Sequence, residues 1–122
     1  METITLEVWL YGPLARYGGK VAGKGHASLH LDLPVGSRVR DLLECLAMPT
    51  EERGVTFING NLSAMPGLQP DADHLLGDGD RIAFFHLKSM WPYQYRDGAA
   101  LTPHMGRAMA RQKKRLHSHS NR

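Results

Sequence analysis

Two stretches of period-two alternation bracket a single helical stripe, and this order constrains the chain more than any other feature. Residues 4–10 read I-T-L-E-V-W-L, with Ile4, Leu6, Val8 and Leu10 alternating with Thr5, Glu7 and Trp9. That spacing predicts a strand with one buried face. Residues 27–33 alternate again, Leu29, Leu31 and Leu33 against Ser28, His30 and Asp32. Between them lies Y-G-P-L-A-R-Y-G-G-K-V-A-G-K-G-H, whose glycines Gly12, Gly18, Gly19, Gly23 and Gly25 predict a long turn without a helical stripe. Strand, glycine loop and strand make a hairpin. Pro34-Val35-Gly36-Ser37 closes it. A helix is expected from about Arg38 to Ala47, because Val39, Leu42, Leu43 and Leu46 fall on one face. Ser37 is its expected N-cap, Asp41 complements its dipole, and Pro49 ends it.

The second half of the body repeats the strand signals. Residues 55–58, V-T-F-I, read as a short strand, and Asn59-Gly60 as a sharp turn. The stretch 61–77 contains Pro66 and Pro70 and is expected to be irregular, with one short helical turn near Asp73–Leu76. Asp78-Gly79-Asp80 is a tight turn, its carboxylates turn formers. Residues 81–87, R-I-A-F-F-H-L, are apolar on both faces, which places that strand in the middle of a sheet. The expected fold class is α+β, a mixed sheet of four or five strands with one main helix on one face.

With 122 residues the chain has room for one ordinary domain. One cysteine, Cys45, excludes an intrachain disulfide and a multi-cysteine zinc site. No apolar run approaches the ~18 residues of a membrane span, and Glu2 and Glu7 stand where a secretory signal carries positive charge. The expected compartment is the cytoplasm. Residues 1–97 hold nine Lys and Arg against twelve Asp and Glu, a net of −3, whereas residues 98–122 carry +6. A basic tail on an acidic body meets an anionic partner or stays solvated.

Four segments carry a resemblance. V-W-L-Y-G-P-L-A-R-Y-G-G resembles the opening of the MoaD/ThiS family of ubiquitin-like sulfur carriers. G-S-R-V-R-D-L-L-E-C-L resembles the family's helix. V-T-F-I-N-G-N resembles its central turn, and L-L-G-D-G-D-R-I-A-F-F its closing strand. They occur in the family's order over residues 3–86. The resemblance implies a β-grasp domain over residues 1–88 and leaves residues 89–122 as a carboxyl-terminal extension, aromatic then basic, partner-binding or partly disordered. The family's chemistry resides in a terminal Gly-Gly beyond the last strand, whose small residues let the backbone thread a narrow channel. Here that position reads H-L-K-S-M-W-P-Y-Q-Y-R-D-G-A-A-L, and the chain's one Gly-Gly, Gly18-Gly19, lies in the first loop.

The resemblance therefore implies a docking or accessory subunit for a larger enzyme of sulfur transfer or of molybdenum- or tungsten-pterin cofactor metabolism. A true carrier, adenylated and converted to a thiocarboxylate after trimming, is a second reading. A nucleic-acid adaptor acting through the basic tail is a third, without a recognisable nucleic-acid motif. Expected partner contacts are Phe85, Leu87, Met90, Trp91, Tyr93, Tyr95 and Arg96, since aromatics and arginine dominate interfaces. The aromatic run equally fits a fold-back over the sheet's own edge. Met105 and Met109 join the expected contacts, on a marginal helix capped by Thr102 with Pro103 at its first position. That segment reads as well as a partly disordered tail. Arg111, Lys113, Lys114 and Arg115 are candidate anion contacts. No catalytic residue, metal site or cofactor is expected. His117 and His119 are read as incidental, His86 as a strand residue, and Cys45 as a packing residue.

Overall fold

The computed structural model describes residues 2–21, 26–87 and 100–120. Strands β1 (Thr3–Tyr11), β2 (His26–Pro34), β3 (Arg53–Ile58), β4 (Asn61–Ala64) and β5 (Arg81–His86) form one five-stranded sheet in the order β2-β1-β5-β3-β4. β1 and β5 run parallel at its centre, and the other pairings are antiparallel. Helix α1 (Val39–Leu46) covers one face, and α2 (Pro103–Ser120) lies in the extension. The fold is α+β with a mixed sheet, as the alternation requires.

Ile4, Leu6, Val8 and Leu10 turn to the α1 side, where they meet Leu33, Val39, Leu42, Leu46, Ile82 and Phe84 in one dry core. β1 and β2 pair through nine residues without a shift, from Thr3 opposite Pro34 to Tyr11 opposite His26. β5 is central as predicted, but only Ile82 and Phe84 are buried. Ala83 and Phe85 on its other face are half-buried.

Local details depart from the sequence reading in four places. The glycine-rich stretch begins as a 3-10 helix, Gly12–Val21, because Leu14 and Ala15 anchor it in the core. Ser37 does not cap α1. Its hydroxyl donates to the Pro34 carbonyl at 2.7 Å, and the cap shifts to Arg38, whose N–H donates to the Asp41 carboxylate at 2.7 Å. The irregular stretch contains β4, folded back by the Asn59-Gly60 turn, whose φ angles of 52° and 82° suit a tight hairpin. The short helical turn falls at Pro70–Asp73 rather than Asp73–Leu76, since Pro70 starts it and His74 is already extended. Cys45 is exposed on the far side of α1, so it does not pack in the core.

Gly54 has a steric reason. A Cβ there would lie 2.9 Å from the His86 carbonyl oxygen and 3.0 Å from Leu87 Cα, so only glycine lets β3 pass the end of β5. Among the described residues, no helix is long and apolar enough to cross a membrane.

Candidate aromatic face and its supports

The sheet face opposite α1 carries the odd-numbered side chains of β1 and β5, and it is aromatic. Phe85 stacks on Tyr11 with ring centres 4.6 Å apart and planes 8° apart, and meets Phe57 edge-on at 6.0 Å. Trp9 stacks on Tyr11 at 6.2 Å and on His26 at 6.0 Å. Pairing puts these residues in register, with Trp9 opposite Ala83 and Tyr11 opposite Phe85. Glu7, Trp9, Tyr11, Phe57, Gly60, Arg81, Ala83 and Phe85 line a cleft of about 340 Å³. Arg81 Nε donates to Glu7 at 2.7 Å and holds that carboxyl below its ordinary pKa. Aromatic walls with one ion pair at an end are suited to bury a partner's apolar side chain beside a polar group.

The β3–β4 half of the same face is closed by the extension. Leu62 donates its N–H to the Ala100 carbonyl at 2.8 Å, and Thr102 returns its N–H to the Leu62 carbonyl at 3.0 Å. This adds a short parallel bridge, Leu62 to Leu101, along the outer edge of β4. Thr102 then caps α2, its hydroxyl accepting from the Met105 N–H at 3.3 Å. The predicted cap and start of the helix hold. Met105 is fully buried against Val55, Phe57 and Leu62, so its place among the partner contacts is corrected: it seals the chain's own second core. A helix with a thin apolar face gains its stability from such tertiary packing.

Beneath β3 and β4, on the α1 side, lies a buried ion pair. Arg53 and Asp71 are 1% and 0% exposed, joined at 2.8 Å. Ser63 donates to the same Asp71 oxygen at 2.8 Å, and Arg53 reaches Gln69 at 3.3 Å. Sequence reasoning missed this pair. Two charges 18 residues apart share no local pattern that links them.

A second cluster ties the first loop to the body. Tyr17 and Arg16 both donate to the Glu52 carboxylate, and the Arg16 guanidinium lies 4.5 Å from the Tyr17 ring centre. The Tyr17 hydroxyl and the guanidinium hold Glu52 below its ordinary pKa, while the same carboxylate raises that of Tyr17. His86 Nε2 stands 3.7 Å from Glu52.

The remaining sequence candidates are scattered. Phe85 belongs to the aromatic row, Leu87 is 46% exposed just past β5, and Met109 is 37% exposed on α2. Arg111 is exposed on α2. Lys113, Lys114 and Arg115 fall on α2, but their side chains lie outside the described ones, as do those of His117 and His119. Met90, Trp91, Tyr93, Tyr95 and Arg96 lie outside the described residues. Conversely, Trp9, Glu7 and Arg81 line the cleft although no motif marked them as functional. Among the described residues, no group of three or more His, Cys, Asp or Glu is placed to hold a metal. No protein-family model, curated protein or solved structure matches the chain.

Proposed function

We propose that this chain is a non-catalytic docking subunit of the MoaD/ThiS-like, β-grasp type, which binds a larger enzyme through the aromatic face of its sheet. The observation that supports this reading best is the placement of Trp9, Ala83, Phe85 and the Glu7–Arg81 pair around one cleft. The order β2-β1-β5-β3-β4, with parallel central strands and one helix across them, supports the β-grasp assignment. The MoaD/ThiS resemblance of four segments in order supports the pathway, sulfur transfer or molybdenum- or tungsten-pterin cofactor metabolism. Trp91, Tyr93 and Tyr95 are assigned to the same partner on their sequence alone.

The docked extension favours this role over that of a carrier. A carrier trimmed near the last strand would lose Ala100–Met105, which here returns to the body, buries Thr102 and Met105 and packs on Val55, Phe57 and Leu62. The test is to isolate the native protein from its own cells and weigh the intact chain. A full-length chain in fixed stoichiometry with a large enzyme is expected, and Trp9→Ala should weaken that complex by about 2 kcal/mol. A chain cut near the last strand, with sulfur replacing a terminal oxygen, would establish the carrier instead. Loss of binding only in high salt, together with bound nucleic acid, would point to the adaptor.

A further inference from the structure

The two edges of the sheet are treated differently, and the difference identifies a second contact surface. The β4 edge is sealed by the chain's own Ala100–Thr102. The opposite edge, β2, has no backbone partner among the described residues. Its exposed groups can be assigned from the ladder. Glu7 N–H donates to Asp80 and Thr5 accepts from Gly79, so the odd positions of β1 serve the β5 side. The even positions therefore serve β2, where they face Ala27, Leu29, Leu31 and Leu33. It follows that His26, Ser28, His30 and Asp32 point their N–H and C=O groups away from the sheet.

Free edges of this length are normally blunted by lysine, proline or a bulge. Residues 26–34 contain no Lys or Arg, Pro34 stands only at the end, and the nine-residue pairing with β1 has no bulge. Leu29 and Leu31, on the α1 side, are only half-buried at this margin.

We propose that β2 pairs antiparallel with β2 of a second copy of this chain, about a two-fold axis at Leu29. In that register His26 lies opposite the second copy's Asp32, and Ser28 opposite its His30. Every outward N–H then finds a carbonyl, an imidazole faces a carboxylate twice by symmetry, and Leu29 meets its counterpart. Moving the axis to His30 would set His30 against its own copy and Pro34, which has no N–H, opposite His26. The chosen register thus satisfies both the charges and the donors, and it joins two five-stranded sheets into one. The pairing leaves the cleft lining on β1 and β5 open, and since His26 also stacks on Trp9 and Tyr11, Ser28→Pro, which alters neither ring, is the variant that separates it from the docking reading.

Sedimentation equilibrium of the full chain up to about 1 mM is expected to give a monomer–dimer equilibrium. Ser28→Pro removes only an outward N–H and is tolerated on an edge strand. It should weaken the dimer about tenfold or more while the thermal melt of the monomer stays close to the parent's. Should Ser28→Pro fail to fold, His26→Asp serves instead. It sets two carboxylates against each other and should weaken association by about three- to tenfold. The double variant H26D/D32H restores the opposition and should recover the parent's dimer. A parent that stays monomeric overturns the proposal, as does a dimer indifferent to Ser28→Pro and His26→Asp. A swap that fails to rescue His26→Asp overturns the register, and the proposal with it.

Discussion

The sheet has two halves held by different means. The β2-β1-β5 half closes on α1 through leucine, isoleucine, valine and phenylalanine, and among the described residues the buried charged side chains, Arg53 and Asp71, lie in the other half. The β3–β4 half has a smaller apolar cluster, Val55, Phe57, Leu62 and Met105. It depends on two further supports: the buried Arg53–Asp71 pair on one face, and the extension on the other. An apolar core tolerates exchanges that conserve volume, whereas a buried ion pair fails as a unit when either member is lost. The difference also separates roles. The apolar half supplies most of the aromatic cleft, with Phe57 and Gly60 joining from the other half, and the half that needs support receives the carboxyl-terminal segment.

Breaking the ion pair should have the largest effect on this contrast. Arg53→Leu strands the Asp71 carboxylate in the interior with Ser63 as its donor, and is expected to cost about 3–5 kcal/mol in urea unfolding. By comparison, removing Arg81 from its exposed pair with Glu7 should leave the urea midpoint close to the parent's, because solvent screens it. If the two variants were equally stable, the division into halves would collapse.

The next largest effect belongs to Met105. Truncating this fully buried side chain, Met105→Ala, should cost about 2–4 kcal/mol, similar to a core residue of the first half such as Leu42→Ala. A loss under about 0.5 kcal/mol would mean that α2 contributes little and that the second half stands without it.

The smallest effect concerns pH and lies at the seam between α2 and the body. His74 follows the Pro70–Asp73 turn and meets His104 of α2 at 5.4 Å, edge to face. Burial, then the neighbouring His104, holds His74 below its ordinary pKa of 6.5, while Asp71 and Asp80 act the other way. The unfolded chain therefore takes up this proton first as pH falls. Its contribution is complete above about pH 6.5 and is lost progressively below. Thermal melts of the parent should lose stability there, and His74→Gln should flatten that slope. An unchanged slope would show that the seam does not sense protonation.

Much of the first half was legible because its chemistry is local and periodic. Ile4 to Leu10, Leu29 to Leu33 and the α1 stripe announce themselves by spacing, and Asn59-Gly60 by its turn geometry. The second half depends on partners distant in sequence. Nothing near Arg53 points to Asp71, and nothing near Met105 points to Phe57, so neither burial shows in a local pattern. The aromatic cleft was half legible. Phe85 stood out in an apolar strand, while Trp9 and Glu7 looked like the solvent side of an alternating one, and only the parallel pairing of β1 with β5 sets them beside Ala83 and Arg81. The Thr102 cap was legible because it is a local rule.

Residues 100–105 complete the sheet rather than trail from it. Amide hydrogen exchange on the full chain tests this at two groups, Leu62 N–H, bound to Ala100, and Thr102 N–H, bound to Leu62. Both are expected to exchange as slowly as the amides within the β3–β4 ladder, since they open only when that half opens. Exchange of both at the rate of an unprotected amide, with the ladder still protected, would contradict it.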